Sequence, residues 1–238
     1  MKGPQDHTNF DRFENSWLYL AGLLLLALIG FWKSYFLKIF DPSIDFEGYF
    51  HFHAFMALSW IGVLIIQPFL IRKNNWKLHR RTGRAGHIIM VLFYLSVILL
   101  THHQESSNPS PQYIGVFIPF KDLVILSVVY FIGMRYRKQT GIHARAMIST
   151  GVVFIEPALI RAVGTLFPAL ENRYLWTIGI IYLILVAAII STKNIKKGRW
   201  VFPLVLCMYV VVHSIIVYRI PLEFFETAAA WFLRLPLT

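Results

Sequence analysis

Residues 51–84, HFHAFMALSWIGVLIIQPFLIRKNNWKLHRRTGR, decide the fold class of this chain. The first part is an apolar run that is long enough to cross a bilayer, for which a helix of about 20 residues suffices. Two histidines open the run, and a tryptophan and a glutamine lie inside it: His51, His53, Trp60 and Gln67. A basic stretch with His79 follows. Because polar side chains are costly within a bilayer, those in this run need partners or a function.

The composition agrees with a membrane location. Of 238 residues, 57% are hydrophobic and 15% are charged, whereas soluble domains have about 25% charged residues. The net charge of +11 would suggest nucleic acid as a partner of a soluble protein. Here the basic residues fall in short segments between apolar runs, as the positive-inside rule describes. We therefore expect the lipid bilayer, and not nucleic acid, as the partner.

Seven apolar segments are long enough to span a membrane, and they predict an all-α, polytopic integral membrane bundle with a single membrane domain at 17–220. The predicted spans are 17–36, 50–71, 86–103, 114–134, 143–168, 174–191 and 201–220. Residues 1–16 form a polar N-terminal tail. Residues 221–238 are interpreted as an amphipathic tail along the interface, with a free tail as the alternative.

Charge in the predicted loops sets the orientation. The segments 72–85, 135–145 and 192–199 carry 14 basic residues and no acidic ones, and the alternate segments carry most of the loop carboxylates. Positive loops stay in the cytoplasm. The pattern predicts a protein of the bacterial cytoplasmic (inner) membrane, with a cytoplasmic N-terminus and an external C-terminus.

This orientation divides the ionisable residues into an outer and an inner layer. The outer layer predicts a polar site within the bundle. His53, Trp60 and Gln67 follow one another at intervals of seven residues, so they share one face of the helix. The predicted outer-half site consists of His53, Asp122, Glu156, Arg161, Trp60 and Gln67. Three histidines are candidate metal ligands there: His51, His53 and His213.

The inner layer predicts a clamp at the helix ends or a site for an anionic lipid head group. It consists of His79, Arg80, His143 and Arg145. Since the two ends of the second span lie about 30 Å apart across the hydrocarbon, His53 and His79 are not ligands of one ion. The chain therefore has either two sites, or one site and one structural clamp.

Several functions fit the outer layer. Imidazole and carboxylate groups suit a divalent metal ion. Buried ionisable groups mark the paths of protons or small ionic substrates in transporters, and the candidates for such a path are Lys121, Asp122, Glu156, Arg161 and His213. A b-type haem is an alternative, held by His53 and His102 at the outer face and by His143 and His87 at the inner face. A fourth interpretation is structural, with Asp122–Arg161 or Lys121–Glu156 as ion pairs between helices.

Catalytic motifs add little. The chain has no GxSxG, phosphate-binding loop or Walker motif, so nothing supports nucleophilic catalysis. Whether the protein is an enzyme, and its oligomeric state, stay open. We expect the segment GRAGH at 83–87 to be a tight turn into the third span.

The order of these motifs resembles a large uncharacterised group of bacterial predicted multi-pass membrane proteins. The pattern is HxH…W…Q…LHRRxG, followed by HxRxM and an Ala-x-x-Arg-like end, and it covers roughly residues 45–165. It matches His51, His53, Trp60, Gln67, the segment 78–83, Asp122, His143, Arg145, Met147 and Arg161. Thr82 and Ala144 depart from the leucine and lysine of the group. The resemblance implies that the matched residues act together, and it implies no particular reaction.

Overall fold

The computed structural model describes residues 13, 15–41, 47–108 and 113–238. Regular structure in these residues is helical throughout. The helices are α1 (Ser16–Ile39), α2 (Gly48–Arg72), α3 (Trp76–Ser106), α4 (Tyr113–Arg135), α5 (Thr140–Leu166), α6 (Arg173–Ser191), α7 (Val201–Val217) and α8 (Glu223–Leu233). Helix α1 contains a short π-helical stretch, and α5 is interrupted at Phe154.

The helices α1 to α6 are long and apolar enough to cross a membrane. Helix α7 is also apolar, but with 17 residues it is shorter than the other six. The all-α prediction is confirmed. Each predicted span overlaps one of the helices α1 to α7, but only α1 to α6 meet the length of a span, so the count of seven spans stays a prediction. The predicted N-terminal tail lies mostly outside the described residues.

The predicted basic loop at 72–85 is wrong in extent. Helix α3 begins at Trp76, so the basic residues from 77 to 84 and the predicted turn at 83–87 all belong to its first turns. Only three residues separate α2 from α3, and Asn74 adopts the left-handed conformation with φ of 55° that a turn this tight requires. The side chain of Asn75 caps α3 by accepting a hydrogen bond from the Leu78 amide at 3.1 Å. This N-cap favours helix formation early in the basic segment.

The basic segments lie at one end of the bundle, together with the start of α1. Arg72, at the end of α2, donates a hydrogen bond to Asn15 Oδ1 at 3.0 Å. Phe13 lies under the guanidinium of Arg145, which in turn contacts the segment between α6 and α7. At the opposite end, His103 of α3 contacts Glu47 at 3.1 Å. The first described residues and the basic segments are therefore at the same end of the bundle.

Helix α5 is the centre of the bundle and contacts α1, α2, α4, α6 and α7. About two thirds of its apolar window is buried, 67%, against 39% or less in the other candidate spans. Pro157 explains its interruption, because proline lacks an N–H and its ring clashes with the carbonyl four residues earlier, at Val153. The break at Phe154 comes two residues before Glu156.

Helix α1 packs closely against α5 at Gly30. A Cβ atom at Gly30 would overlap the backbone carbonyl of Ala158, whereas a Cβ at Gly22 of the same helix would meet nothing within 4 Å. A backbone group cannot rotate away as a side chain can. The glycine is therefore needed for the approach of the two helices.

This contact gives a first prediction. Both Gly30→Ala and Gly22→Ala gain the same helix propensity, but only the first overpacks an interface, at a cost of about 1–3 kcal/mol. We expect Gly30→Ala to be less stable than Gly22→Ala by this amount in thermal unfolding of the purified protein. Equal stability of the two variants would contradict the close approach of α1 and α5.

The C-terminal segment is helical and packs on the bundle. Ala229 and Phe232 of α8 form a buried cluster with Val116 of α4, and the Thr238 hydroxyl lies 2.7 Å from His102 Nδ1. Phe224 on the opposite side is 89% exposed. That α8 lies along a membrane surface stays a prediction.

Candidate functional site

Four ionisable side chains from three helices form a continuous network, which we call the ion cluster: Lys121, Asp122, Glu156 and His213. Asp122 is half-buried, and the other three are buried. Lys121 Nζ donates to Asp122 Oδ1 at 2.7 Å and to Glu156 Oε2 at 2.8 Å. His213 Nε2 lies 3.2 Å from the same Glu156 oxygen. Lys121 and Glu156 are 4% and 3% exposed, and His213 is 1% exposed. Glu156 therefore joins α4 to α7 through one carboxylate oxygen.

Local sequence places each member of the cluster. Lys121 and Asp122 follow Pro119 by less than one turn of α4. Glu156 follows the break in α5. His213 lies in the last third of α7, one turn after Tyr209. These helices meet because α5 packs against both α4 and α7.

The charges of the ion cluster do not balance. Lys121 supplies one positive charge against the two carboxylates of Asp122 and Glu156, so the cluster carries one net negative charge while His213 is neutral. Burying an uncompensated charge costs several kcal/mol. One proton, on His213 or on a carboxyl group, restores neutrality. The arrangement is therefore suited to bind and release one proton or one small cation.

Three tyrosines surround His213. The ring centroids of Tyr174, Tyr182 and Tyr209 lie 5.9, 5.6 and 5.2 Å from that of the imidazole. The Tyr182 hydroxyl lies 3.2 Å from His213 Nδ1. The buried hydroxyls of Tyr174 and Tyr209 have no hydrogen-bond partner among the residues described. Both ring nitrogens of His213 are thus engaged, one by a carboxylate and one by a phenol.

Two residues of the predicted outer site have other partners. His53 Nδ1 lies 3.2 Å from the Ser96 hydroxyl, and its ring packs on Phe93 at 5.5 Å. Arg161 is exposed, and its guanidinium lies 4.6 Å from the centre of the Phe31 ring. Of the two ion pairs expected in the structural interpretation, Lys121–Glu156 is present. Asp122 pairs with Lys121 instead of Arg161.

Trp60 and Gln67 hold α2 against its neighbours. Trp60 Nε1 donates to Thr150 Oγ1 of α5 at 3.3 Å. Gln67 Nε2 donates to Thr82 Oγ1 at 2.7 Å and to the His79 carbonyl at 3.2 Å in α3. Their polar groups are therefore used in hydrogen bonds between helices, as membrane bundles commonly do.

Arg145 forms the clamp predicted for the inner layer. It is fully buried, and its five N–H groups donate to the Gly141, Lys197, Ile195 and Thr192 carbonyls and to the Thr192 hydroxyl, at 2.7–3.2 Å. A guanidinium has five donors in all. None is left for a lipid phosphate, so Arg145 ties α5 to the segment between α6 and α7.

The rest of the inner set does not converge on Arg145. His143 Nδ1 lies 2.8 Å from the Gly133 carbonyl of α4. His79 packs on Trp76 at 6.1 Å, and its buried Nδ1 has no partner among the residues described. Arg80 is exposed. His143 therefore braces α5 against α4, and an anion site at His79 and Arg80 stays a prediction.

The candidate metal and haem ligands also have separate partners. His51 contacts the Tyr35 hydroxyl at 2.7 Å, His102 contacts Thr238, and His87 contacts the Tyr130 hydroxyl. Across residues 13, 15–41, 47–108 and 113–238, no group of three or more His, Cys, Asp or Glu side chains is arranged to hold a metal ion.

The sequence indicates Lys121 as a candidate for an ion path and as a partner of Glu156, although the predicted outer-half site does not include it, and the sequence does not indicate the three tyrosines around His213. Lys121 was identifiable as an ionisable residue beside Asp122 within an apolar run. Tyr209 and His213 are four residues apart and so share a face of α7. Tyr174 and Tyr182 gave no such signal, because only packing brings α6 to α7.

The long apolar helices are those of a multi-pass membrane protein, and the ion cluster lies between α4, α5 and α7. Comparison with family models, curated proteins and solved structures finds no match to the chain.

Proposed function

We propose that this chain is a seven-span carrier of the bacterial cytoplasmic membrane, in which the ion cluster binds a proton as part of the transport of a small ionic substrate. The observation that carries the proposal is the charge imbalance of the cluster. Buried Lys121 contacts the buried carboxylate of Glu156 and the half-buried carboxylate of Asp122, and His213, an imidazole that can bind a proton, touches the Glu156 carboxylate.

The position of the basic segments supports the proposed orientation, in which the N-terminus is cytoplasmic. The segments with 14 basic residues meet the start of α1 at one end of the bundle, and such segments stay in the cytoplasm. Helix α7 would be the seventh span. Its 17 residues correspond to about 25 Å of rise, slightly less than the usual hydrocarbon thickness of about 30 Å.

Proton uptake by the purified protein in lipid nanodiscs tests the proposal. We expect the wild type to take up one proton per chain, beyond its exposed groups, as the pH falls. Glu156→Gln leaves one cation and one carboxylate, a neutral pair, and should abolish this uptake. A pH indicator in weakly buffered solution measures the protons, and difference infrared spectroscopy identifies the group that receives them.

Glu171→Gln is the matched control, because Glu171 is exposed in the connection between α5 and α6. This variant should keep the uptake assigned to the cluster. A wild-type protein in which the cluster takes up no proton would contradict the proposal and favour a purely structural ion cluster.

Transport is tested in proteoliposomes with a trapped pH indicator and an imposed pH gradient. Sodium, potassium, ammonium, chloride and acetate are added one at a time. We expect at least one ion to dissipate the gradient through the wild type and not through Glu156→Gln. If none of them does so, the carrier part of the proposal is wrong.

A further inference from the structure

The neighbours of His213 determine which of its nitrogens carries the hydrogen. Glu156 Oε2 faces Nε2 at 3.2 Å, and an ionised carboxylate only accepts hydrogen bonds. The neutral imidazole therefore carries its proton on Nε2 and donates it to Glu156. Nδ1 is then unprotonated, and it accepts a hydrogen bond from the Tyr182 hydroxyl at 3.2 Å.

From this geometry we infer a route for the proton: it reaches the ion cluster through Tyr182 and His213. The inference rests on the proposed proton binding and adds the path to it. Tyr182, in the middle of α6, is half-buried, whereas His213 is 1% exposed. Of the three residues Tyr182, His213 and Glu156, Tyr182 is the half-buried one and the other two are buried, and Glu156 is the end that meets Lys121.

A hydronium ion of the solvent is the proton source. The Tyr182 O–H bond breaks as its hydrogen bonds to His213 Nδ1, and the phenol oxygen takes a proton from the hydronium ion, which becomes water. The imidazolium then breaks its Nε2–H bond and passes that proton to Glu156 Oε2. Nothing is oxidised or reduced, and the cluster gains one positive charge.

Among the described residues, charged and titratable groups face His213 from its own helix and from three others. Glu156 lies on α5, Lys121 and Asp122 on α4, and the tyrosines on α6 and α7. Glu156 lies on the Nε2 side of the imidazole and Tyr182 on the Nδ1 side, so the two contacts lie on either side of the ring.

Two tyrosines of this group provide a matched pair of variants. Tyr182→Phe removes the hydroxyl that contacts Nδ1, whereas Tyr209→Phe removes a hydroxyl without a partner among the described residues. After a rapid pH drop in nanodiscs, we expect Tyr182→Phe to take up the same number of protons as the wild type, but roughly tenfold or more slowly, since positioned donors accelerate proton transfer at least this much. Tyr209→Phe should match the wild type in both respects.

Uptake by Tyr182→Phe at the wild-type rate would overturn the route while leaving the proposed proton binding in place. A loss of the uptake itself in this variant would also overturn the route, because Tyr182 would then belong to the binding site. A wild type that takes up no proton contradicts the proposed function instead.

A second measurement needs no altered tyrosine. Nitrogen NMR of the ¹⁵N-histidine-labelled wild type at alkaline pH, with His213→Asn to assign the signal, should show a protonated Nε2 and an acceptor Nδ1. The opposite tautomer would overturn the inference.

Discussion

Replacing Lys121 with methionine is expected to lower the free energy of unfolding by about 3–5 kcal/mol, the cost of removing one partner from a buried ion pair. Methionine fills a similar volume, so the loss is electrostatic. The replacement leaves the carboxylates of Asp122 and Glu156 without the shared ammonium, which contacts them at 2.7 and 2.8 Å. The midpoint of thermal unfolding, measured in detergent, should fall by roughly 10 °C.

The pH dependence of this loss has a definite sign. The repulsion exists only while both carboxylates are ionised, so the variant should be least stable at neutral and alkaline pH and should recover as protons bind at acidic pH. The double variant Lys121→Met with Glu156→Gln should also recover part of the loss, because a single carboxylate then remains. Recovery in neither case would show that Lys121 acts through packing and not through charge.

Lys38→Met is the matched control. Lys38 is exposed near the end of α1, where the removal of one ammonium group changes little. A similar loss of stability in both lysine variants would contradict the special role of the ion cluster.

Replacing Arg145 with methionine is expected to cost at least about 3 kcal/mol. The guanidinium donates five hydrogen bonds, and hydrogen bonds from charged groups contribute about 1.5–3 kcal/mol each, without strict additivity. Removing it leaves the Thr192, Ile195 and Lys197 carbonyls without their donor. Thermal unfolding in detergent measures the loss, and limited proteolysis of the segment 192–200 should become faster.

Arg145→Lys separates charge from geometry. Lysine keeps the positive charge but has three donors and no planar fork, so we expect it to recover only a minor part of the stability. Full recovery by lysine would show that charge alone suffices. Arg137→Met, in an exposed position of the segment between α4 and α5, is the control and should leave both stability and proteolysis unchanged.

The apolar runs by themselves determined that the chain is a helical bundle with long membrane-type helices. A backbone that spans lipid must satisfy its hydrogen bonds internally, and a helix does this within one segment. Apolar length therefore predicts both the element and its approximate bounds. Apolar length does not predict the start of α3, because the basic residues from 77 to 84 are polar and yet helical. The N-cap at Asn75 starts the helix before this basic segment.

The site was predicted in part. Asp122 and Glu156 stand out because charged residues in apolar runs are costly, and both belong to the ion cluster. His53 and Arg161 stand out for the same reason, but they pack against Phe93 and Phe31. The position of a residue along its helix determines its depth in the membrane. Which side chain it contacts depends on the rotation of each helix about its axis.

Residues 51–84 by themselves therefore determined only that a membrane-type helix is present and that a basic segment follows it. Only the tertiary structure decided that Gln67 bonds to α3, that Trp60 bonds to α5, and that Lys121 joins Asp122 to Glu156. The physical reason is that helix formation depends on neighbours within one turn, which the sequence lists in order. Contacts between helices depend on packing among residues that are far apart in the chain, such as Gly30 against Ala158.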